Sequence, residues 1–147
     1  MNFQAQMDFI NTHNPYMQLS GIRVLDLGVD YAVTGLEMDA QSCNPFGSLH
    51  GGAIYTMADC ASGCAARSNG AIYVTLNGSI NYIRGAKEGA IRANAQVVHR
   101  GRTTCVVRVE VHCGETLLAD GSFTMFCVRQ PEECGEFSLT PDQNGSK

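Results

Sequence analysis

The run Leu49-His50-Gly51-Gly52-Ala53-Ile54-Tyr55-Thr56-Met57-Ala58-Asp59-Cys60-Ala61-Ser62-Gly63-Cys64-Ala65-Ala66-Arg67 constrains this chain more than any other stretch. Between Gly51 and Ala66 the sole charged residue is Asp59. The remainder is small or apolar, with no proline before Arg67-Ser68-Asn69-Gly70, where Asn-Gly reads as a helix stop. The pattern predicts about four turns of helix. Its many Ala, Gly and Ser residues let neighbouring backbones approach closely. A carboxylate in the middle of such a helix is costly to desolvate, and nothing nearby in sequence pairs with it.

Around this helix the periodicity changes. Phe3, Met7 and Ile10 recur at helical spacing and predict a short N-terminal helix. After Asn14-Pro15, residues 22–27 and 31–38 read as two strands about a turn at Gly28-Val29-Asp30, and 39–50 reads as a loop. Beyond Gly70 the pattern alternates. Val74, Leu76, Ile80 and Tyr82 are interleaved with Thr75, Asn77, Ser79 and Asn81, and similar runs follow at 91–98, 105–112 and 117–128. Short connectors predict that these four strands form an antiparallel meander. A single apolar helix and a one-sided sheet bury their apolar surfaces only against each other. The expected class is therefore α+β, a curved antiparallel sheet wrapped around one long central helix. At 147 residues this is one domain, 1–147, and its polar end, 129–147, is expected to be a flexible tail.

Charge and cysteine content narrow the function. A net charge of −4 argues against nucleic acid as a partner. Yet Arg84, Lys87, Arg92, Arg100, Arg102 and Arg108 face only one acid, Glu88, within 84–108. This local positive patch suits a small polyanionic ligand, or else is a set of solvated strand faces. The seven cysteines form no Cys-x-x-Cys pair, so no metal site is expected, and reduced thiols point to the cytoplasm. No basic residue precedes Arg23, the wrong pattern for a signal peptide. The longest uncharged run, 40–58, is punctuated by Pro45, His50 and several Gly and Asn residues, so no membrane span is expected.

Two features of the helix can carry chemistry. Gly51 and Gly52 lie where backbone N–H groups lack intrahelical partners, so they either stabilise a developing oxyanion or allow a sharp entry into the helix. Asp59 reads as a general base or a nucleophile, or else as a solvated or capping residue. Eight residues of helix separate Gly51 from Asp59, a rise of about 12 Å. If both act on one carbonyl, one of them must come from a second copy running antiparallel across a two-fold axis, which makes a homodimer essential to the site. Thr75 and Asn77 could hold a water or simply face solvent. The turn His99-Arg100-Gly101-Arg102-Thr103-Thr104 could contact phosphate or be an ordinary hairpin turn. His13 and His112 have no nearby nucleophile.

Asn44, followed after five residues by His50-Gly51-Gly52 and then by Asp59 on the ensuing helix, resembles the hotdog-fold acyl-CoA thioesterases, and the phenylacetate-degradation-type branch in particular. Val74-Thr75-Leu76-Asn77-Gly78-Ser79-Ile80-Asn81-Tyr82 and the Ala86-Lys87-Glu88-Gly89 and Arg100-Gly101-Arg102-Thr103 turns extend the likeness over roughly 19–128, the expected domain core. The resemblance implies a hotdog fold and hydrolysis of an acyl-CoA thioester to free acid and coenzyme A. By its terms the N–H groups of Gly51 and Gly52 polarise the carbonyl, Asn44 joins them from the loop, and Asp59 is the catalytic carboxylate in the facing subunit's helix. Thr75 helps to hold the attacking water, and His50 shapes the loop. It further implies a homotetramer built from two dimers, with neither metal nor cofactor. Coenzyme A carries several phosphates, which nominates Arg84, Arg100, Gly101, Arg102 and Thr103 as its contacts. The alternatives are a non-catalytic acyl-CoA-binding protein and a hotdog hydratase or dehydratase. A mere binder has little use for a costly carboxylate. A hydratase usually pairs a histidine with its acid, and here no histidine is placed for that.

Overall fold

The computed structural model describes residues 1–133. Two helices, α1 (Phe3–His13) and α2 (Pro15–Leu19), lead into strands β1 (Arg23–Gly28) and β2 (Tyr31–Glu37). The long helix α3 (Gly51–Arg67) follows, then β3 (Ile72–Tyr82), β4 (Ala90–Arg100), β5 (Thr104–Cys113) and β6 (Thr116–Arg129). Short 3-10 turns occupy Ala40–Ser42 and Pro131–Glu133. Most of the expected flexible tail lies outside the described residues.

The helix ends where the Asn-Gly signal predicts, with Gly70 at a φ of 87°. Its buried stripe, Ile54, Met57, Ala58, Ala61, Cys64 and Ala65, lies against the sheet, and the small side chains bring the layers close. There the inward residues of the strands meet it, among them Ala93, Ala95, Val107, Val109, Phe123 and Met125. Thr34 donates to the Met57 carbonyl across this contact at 2.9 Å. Helix and sheet form the expected α+β architecture.

The meander expected from the connectors requires a correction. The sheet order is β1-β2-β4-β5-β6-β3, all antiparallel, so β3 pairs with β6 and not with β4. Segment 83–89 is no hairpin loop. It crosses the end of the sheet, where the Ile83 and Arg84 N–H groups both donate to Leu118 O and Ala86 O accepts from Leu49 N. Crossing from β3 to β4 spans three strand spacings, about 14 Å, within reach of seven extended residues at about 23 Å. Helix α2 is the second difference: Asn14 ends α1 and caps α2, with Pro15 in the first turn, so Asn-Pro here starts a helix.

The two sheet edges differ. At β1, the Asn11 side chain donates to Val24 O and accepts from Val24 N, at 3.0 and 2.8 Å, in the manner of a strand partner. The outer edge of β3 lies opposite, carrying exposed Val74 and Leu76 beside polar Thr75 and Asn77.

Candidate active site

The sheet leaves one stripe of α3 uncovered. Gly52, Tyr55, Thr56 and Asp59 recur at i, i+3, i+4 and i+7 on it, exposed or half-buried, beside the β3 edge. Asp59 is not solitary: the Thr75 hydroxyl on β3 donates to its Oδ1 at 2.6 Å. A charge-assisted bond of this kind orients the carboxylate and leaves Oδ2 for another partner. The next residue, Cys60, turns toward the interior. Burial, with the neighbouring Cys64 and Asp59, pushes its thiol up to about 12 against the opposing pull of Arg67. Cys64 is pushed up to about 11, again by burial first. These thiols stay protonated and unreactive at neutral pH.

At the start of α3, His50 is the N-cap. Its Nδ1 accepts from Gly52 N at 2.8 Å, and its carbonyl accepts from Ala53 N and Ile54 N. The Gly52 N–H is thus already capped, whereas the Gly51 N–H has no hydrogen-bond partner among the described residues. The available donor is Gly51, at the positive end of the helix dipole. Asn44 shapes the preceding loop: its Oδ1 accepts from Phe46 N and Ser48 N. Tyr82, which the sequence marks only as a strand residue, reaches over the helix start and donates to Gly51 O at 3.0 Å. Tyr55 donates to Gly78 O at 3.3 Å and packs edge-on against Phe123. Tyr82 and Tyr55 join the site through contacts distant in sequence, and no local motif marks them.

The basic candidates separate. Arg84 lies just past Tyr82, at the end of the sheet that holds the helix N-terminus, and Arg102 lies just past Arg100, at the opposite end. One chain does not bring them together. Arg100 requires a correction, because its guanidinium is engaged inside the fold. It donates to Ala66 O at 2.8 Å, Ala65 O at 3.4 Å, Tyr73 Oη at 3.0 Å and Asp30 Oδ1 at 2.6 Å. Burial works against its charge, but the bonds to Asp30 and Tyr73 outweigh it and hold the group firmly protonated. Gly101 and Thr103 serve the turn through their backbones, Gly101 N donating to Thr104 O and Thr103 O accepting from Cys127 N. Arg102 is exposed.

The family model of the thioesterase superfamily matches residues 46–119, which include the helix, Asp59 and Thr75. The chain belongs to this superfamily. It is 35% identical to a conserved protein, PA5202, from Pseudomonas aeruginosa, whose structure superposes with a TM-score of 0.78 over 85% of this chain and 98% of that one. A hypothetical thioesterase from Streptococcus pneumoniae, solved with coenzyme A, is 32% identical with a TM-score of 0.70 over 74% of this chain and 90% of its own. That protein was also solved with an aspartate, and separately a threonine, replaced by alanine. The acyl-coenzyme A thioesterase PaaI of Escherichia coli is 33% identical over 92 residues, 62% of this chain and 66% of its own. The fold is the hotdog thioesterase fold, and the enzyme class is thioester hydrolase. No described helix is long and apolar enough to cross a membrane.

Proposed function

We propose that the protein hydrolyses an acyl-CoA thioester to a carboxylic acid and coenzyme A, using Asp59 of one protomer and the helix start of a second copy. The observation that carries this reading is the 2.6 Å bond between Thr75 and Asp59, on a helix face left open beside an unpaired strand edge. The aspartate and threonine replaced in the Streptococcus pneumoniae thioesterase are sixteen positions apart, the separation of Asp59 and Thr75 here.

Gly51 and Asp59 stand about 12 Å apart along one helix, too far to touch one carbonyl. Pairing two β3 edges antiparallel about a two-fold axis would bring the helix start of each copy toward the partner's Asp59 and cover Val74 and Leu76. Two such dimers would form the homotetramer. The same axis would carry Arg84 of one copy toward the end of its partner that bears Arg102, so both can serve one coenzyme A.

In the reaction, Gly51 N–H donates a hydrogen bond to the carbonyl oxygen as negative charge grows on it, helped by the helix dipole. Asp59 takes a proton from water as the water oxygen bonds to the carbonyl carbon. Collapse of the tetrahedral adduct breaks the carbon–sulfur bond, and the proton returns to the leaving thiolate. The same placement serves direct attack by Asp59, with a mixed anhydride that water then cleaves. Labelled water tests the second route in a single turnover: label in Asp59 arises only when water attacks the aspartyl carbonyl of an anhydride, whereas label in the product acid alone fits attack of water on an acyl carbonyl. A cytoplasmic setting accords with the six described cysteines, all free thiols.

The test is a panel of acyl-CoA substrates followed by loss of thioester ultraviolet absorbance, since partly exposed cysteines such as Cys43 and Cys113 would react with a thiol dye. Turnover of at least one acyl-CoA is expected, and binding without turnover of any of them would overturn the reading. Arg102→Ala should raise KM for acyl-CoA far more than it lowers kcat, and should leave a truncated pantetheine thioester unaffected. An unchanged KM would remove Arg102 from the coenzyme A contacts.

A further inference from the structure

The peptide joining Gly51 to Gly52 is held at both of its polar atoms. The Tyr82 hydroxyl donates to its oxygen at 3.0 Å, and its N–H donates to His50 Nδ1 at 2.8 Å. The two side chains press on the glycines from which they hang this peptide. A Cβ added to Gly51 would lie 3.3 Å from Tyr82 Cε1, and one added to Gly52 would lie 2.9 Å from His50 Nδ1. The paired glycines thus have a packing reason beyond ligand access: they make room for the groups that grip them. The grip matters because glycine is a poor helix former, and two in the first turn leave it prone to fray.

Tyr82 is well placed for this task. It stands at the end of β3 opposite Ala119, and the next two residues both donate to Leu118 O, so its backbone is tied to β6. Partial burial first, with Tyr55 second, pushes its phenol above the ordinary value, which keeps it a donor through the neutral range. The Gly51 N–H, on the adjoining peptide, has no hydrogen-bond partner among the described residues.

We propose that Tyr82 is a positioning residue for thioester hydrolysis: by holding the Gly51–Gly52 peptide, it keeps the Gly51 N–H aimed at the thioester oxygen as charge develops there. The inference rests on the hydrolase reading above. It adds a residue that acts through the first turn of the helix and does not touch the substrate. A bond between Tyr82 and the Gly51 oxygen also polarises that amide, since hydrogen bonds in series reinforce one another.

The variant Tyr82→Phe keeps the ring over Gly51 and deletes only the donor. Loss of one such bond predicts a fall in kcat of about 3- to 10-fold with KM within about twofold of wild type. Melting temperature and oligomeric state should be unchanged. Amide hydrogen exchange read by NMR gives a second measure independent of turnover. The Tyr55 amide, which donates to the Gly51 oxygen one helical turn on, should exchange about 3- to 10-fold faster in the variant. A wild-type kcat would overturn the proposal. So would a rise in KM at constant kcat, which would make Tyr82 a substrate-binding group. Unchanged exchange at Tyr55 would also remove the physical basis. Failure of the hydrolase reading shows separately, as absence of turnover by the wild-type protein.

Discussion

The two ends of α3 are finished in opposite ways. At the C-terminal end the orphan carbonyls are taken: Arg100 reaches Ala65 O and Ala66 O, Ser68 N donates to Ala65 O, and Gly70 N donates to Arg67 O. Asp30, at a φ of 63°, anchors the same guanidinium at 2.6 Å and receives Gln96 and Val97 on its carbonyl. Arg67 closes the corner by donating to Tyr73 O. The N-terminal end is gripped but not closed, with His50 and Tyr82 on the Gly51–Gly52 peptide and the Gly51 N–H left open. One end of the helix is fixed to the fold, and the other presents a donor to whatever approaches. The proposed role of Asp59 calls for both: an anchor to set the helix position, and an unsaturated end where negative charge is favoured.

This contrast predicts that substitutions toward the open end lower turnover at little cost in stability, and that those at the anchored end do the reverse. The largest effect is expected from Asp59→Asn, which keeps a hydrogen-bond acceptor for Thr75 but removes the carboxylate proposed to act on the thioester. Its kcat should fall about 100- to 10,000-fold while the oligomeric state and melting temperature stay those of wild type. Activity like that of wild type would end the assignment. Next comes Arg100→Ala, which strips the Ala65 and Ala66 carbonyls of their donor and leaves Asp30 without its cation. Charge-assisted bonds in a mostly buried setting suggest a loss of about 2–3 kcal/mol. That corresponds to a drop in Tm of about 6–10 °C by calorimetry, with kcat per folded molecule nearly unchanged. A large fall in kcat at constant Tm would show that the two ends are not separate in function. A smaller effect is expected at the open end from His50→Ala. Removal of an N-cap costs about 1 kcal/mol and uncaps the Gly52 N–H. A loss in Tm as large as that of Arg100→Ala would erase the contrast.

Much of α3 was legible because its signals are local: an uninterrupted small-residue run, a histidine before two glycines, and Asn-Gly after the last turn. The anomaly of Asp59 was equally plain, though its partner was not, since Thr75 is sixteen positions away on a strand. Sheet order was misjudged at β3 because connector length admits both a hairpin and a crossing. The better signal is burial. From Ala90 to Gln96, β4 alternates between exposed and buried, whereas Val74, Thr75, Leu76 and Asn77 are all exposed, as befits an edge. Arg100 was misassigned for a related reason. A basic residue next to a Gly-Arg turn looks the same in sequence whether it faces a phosphate or the carbonyl end of a helix. Only the long-range pairing of Arg100 with Asp30 and Ala66 decides which.

The smallest expected effect sharpens the contrast within the helix itself, between Asp59, which faces the open side, and Cys60 and Cys64, which face inward. A thiol pushed up by burial is held neutral in the folded chain at pH values where the unfolded chain, near its ordinary 9.0, has begun to release the proton. Above pH 9 the unfolded state therefore binds fewer protons than the folded one, and stability must fall as pH rises. The fall continues until the folded thiols themselves ionise, near 11 for Cys64 and 12 for Cys60. Well below pH 9, where the unfolded thiols too are protonated, the two thiols contribute no slope. Urea unfolding between pH 8 and pH 11 should thus show a declining midpoint in the wild type, and a flatter decline in the Cys60→Ala/Cys64→Ala double variant. Cys60 is only half-buried, so solvent screens part of its share, and the single variant Cys64→Ala should account for most of the change. If the double variant keeps the wild-type slope, the two thiols are as accessible as the carboxylate beside them, and the sheet does not divide the helix into a sealed face and a reactive one.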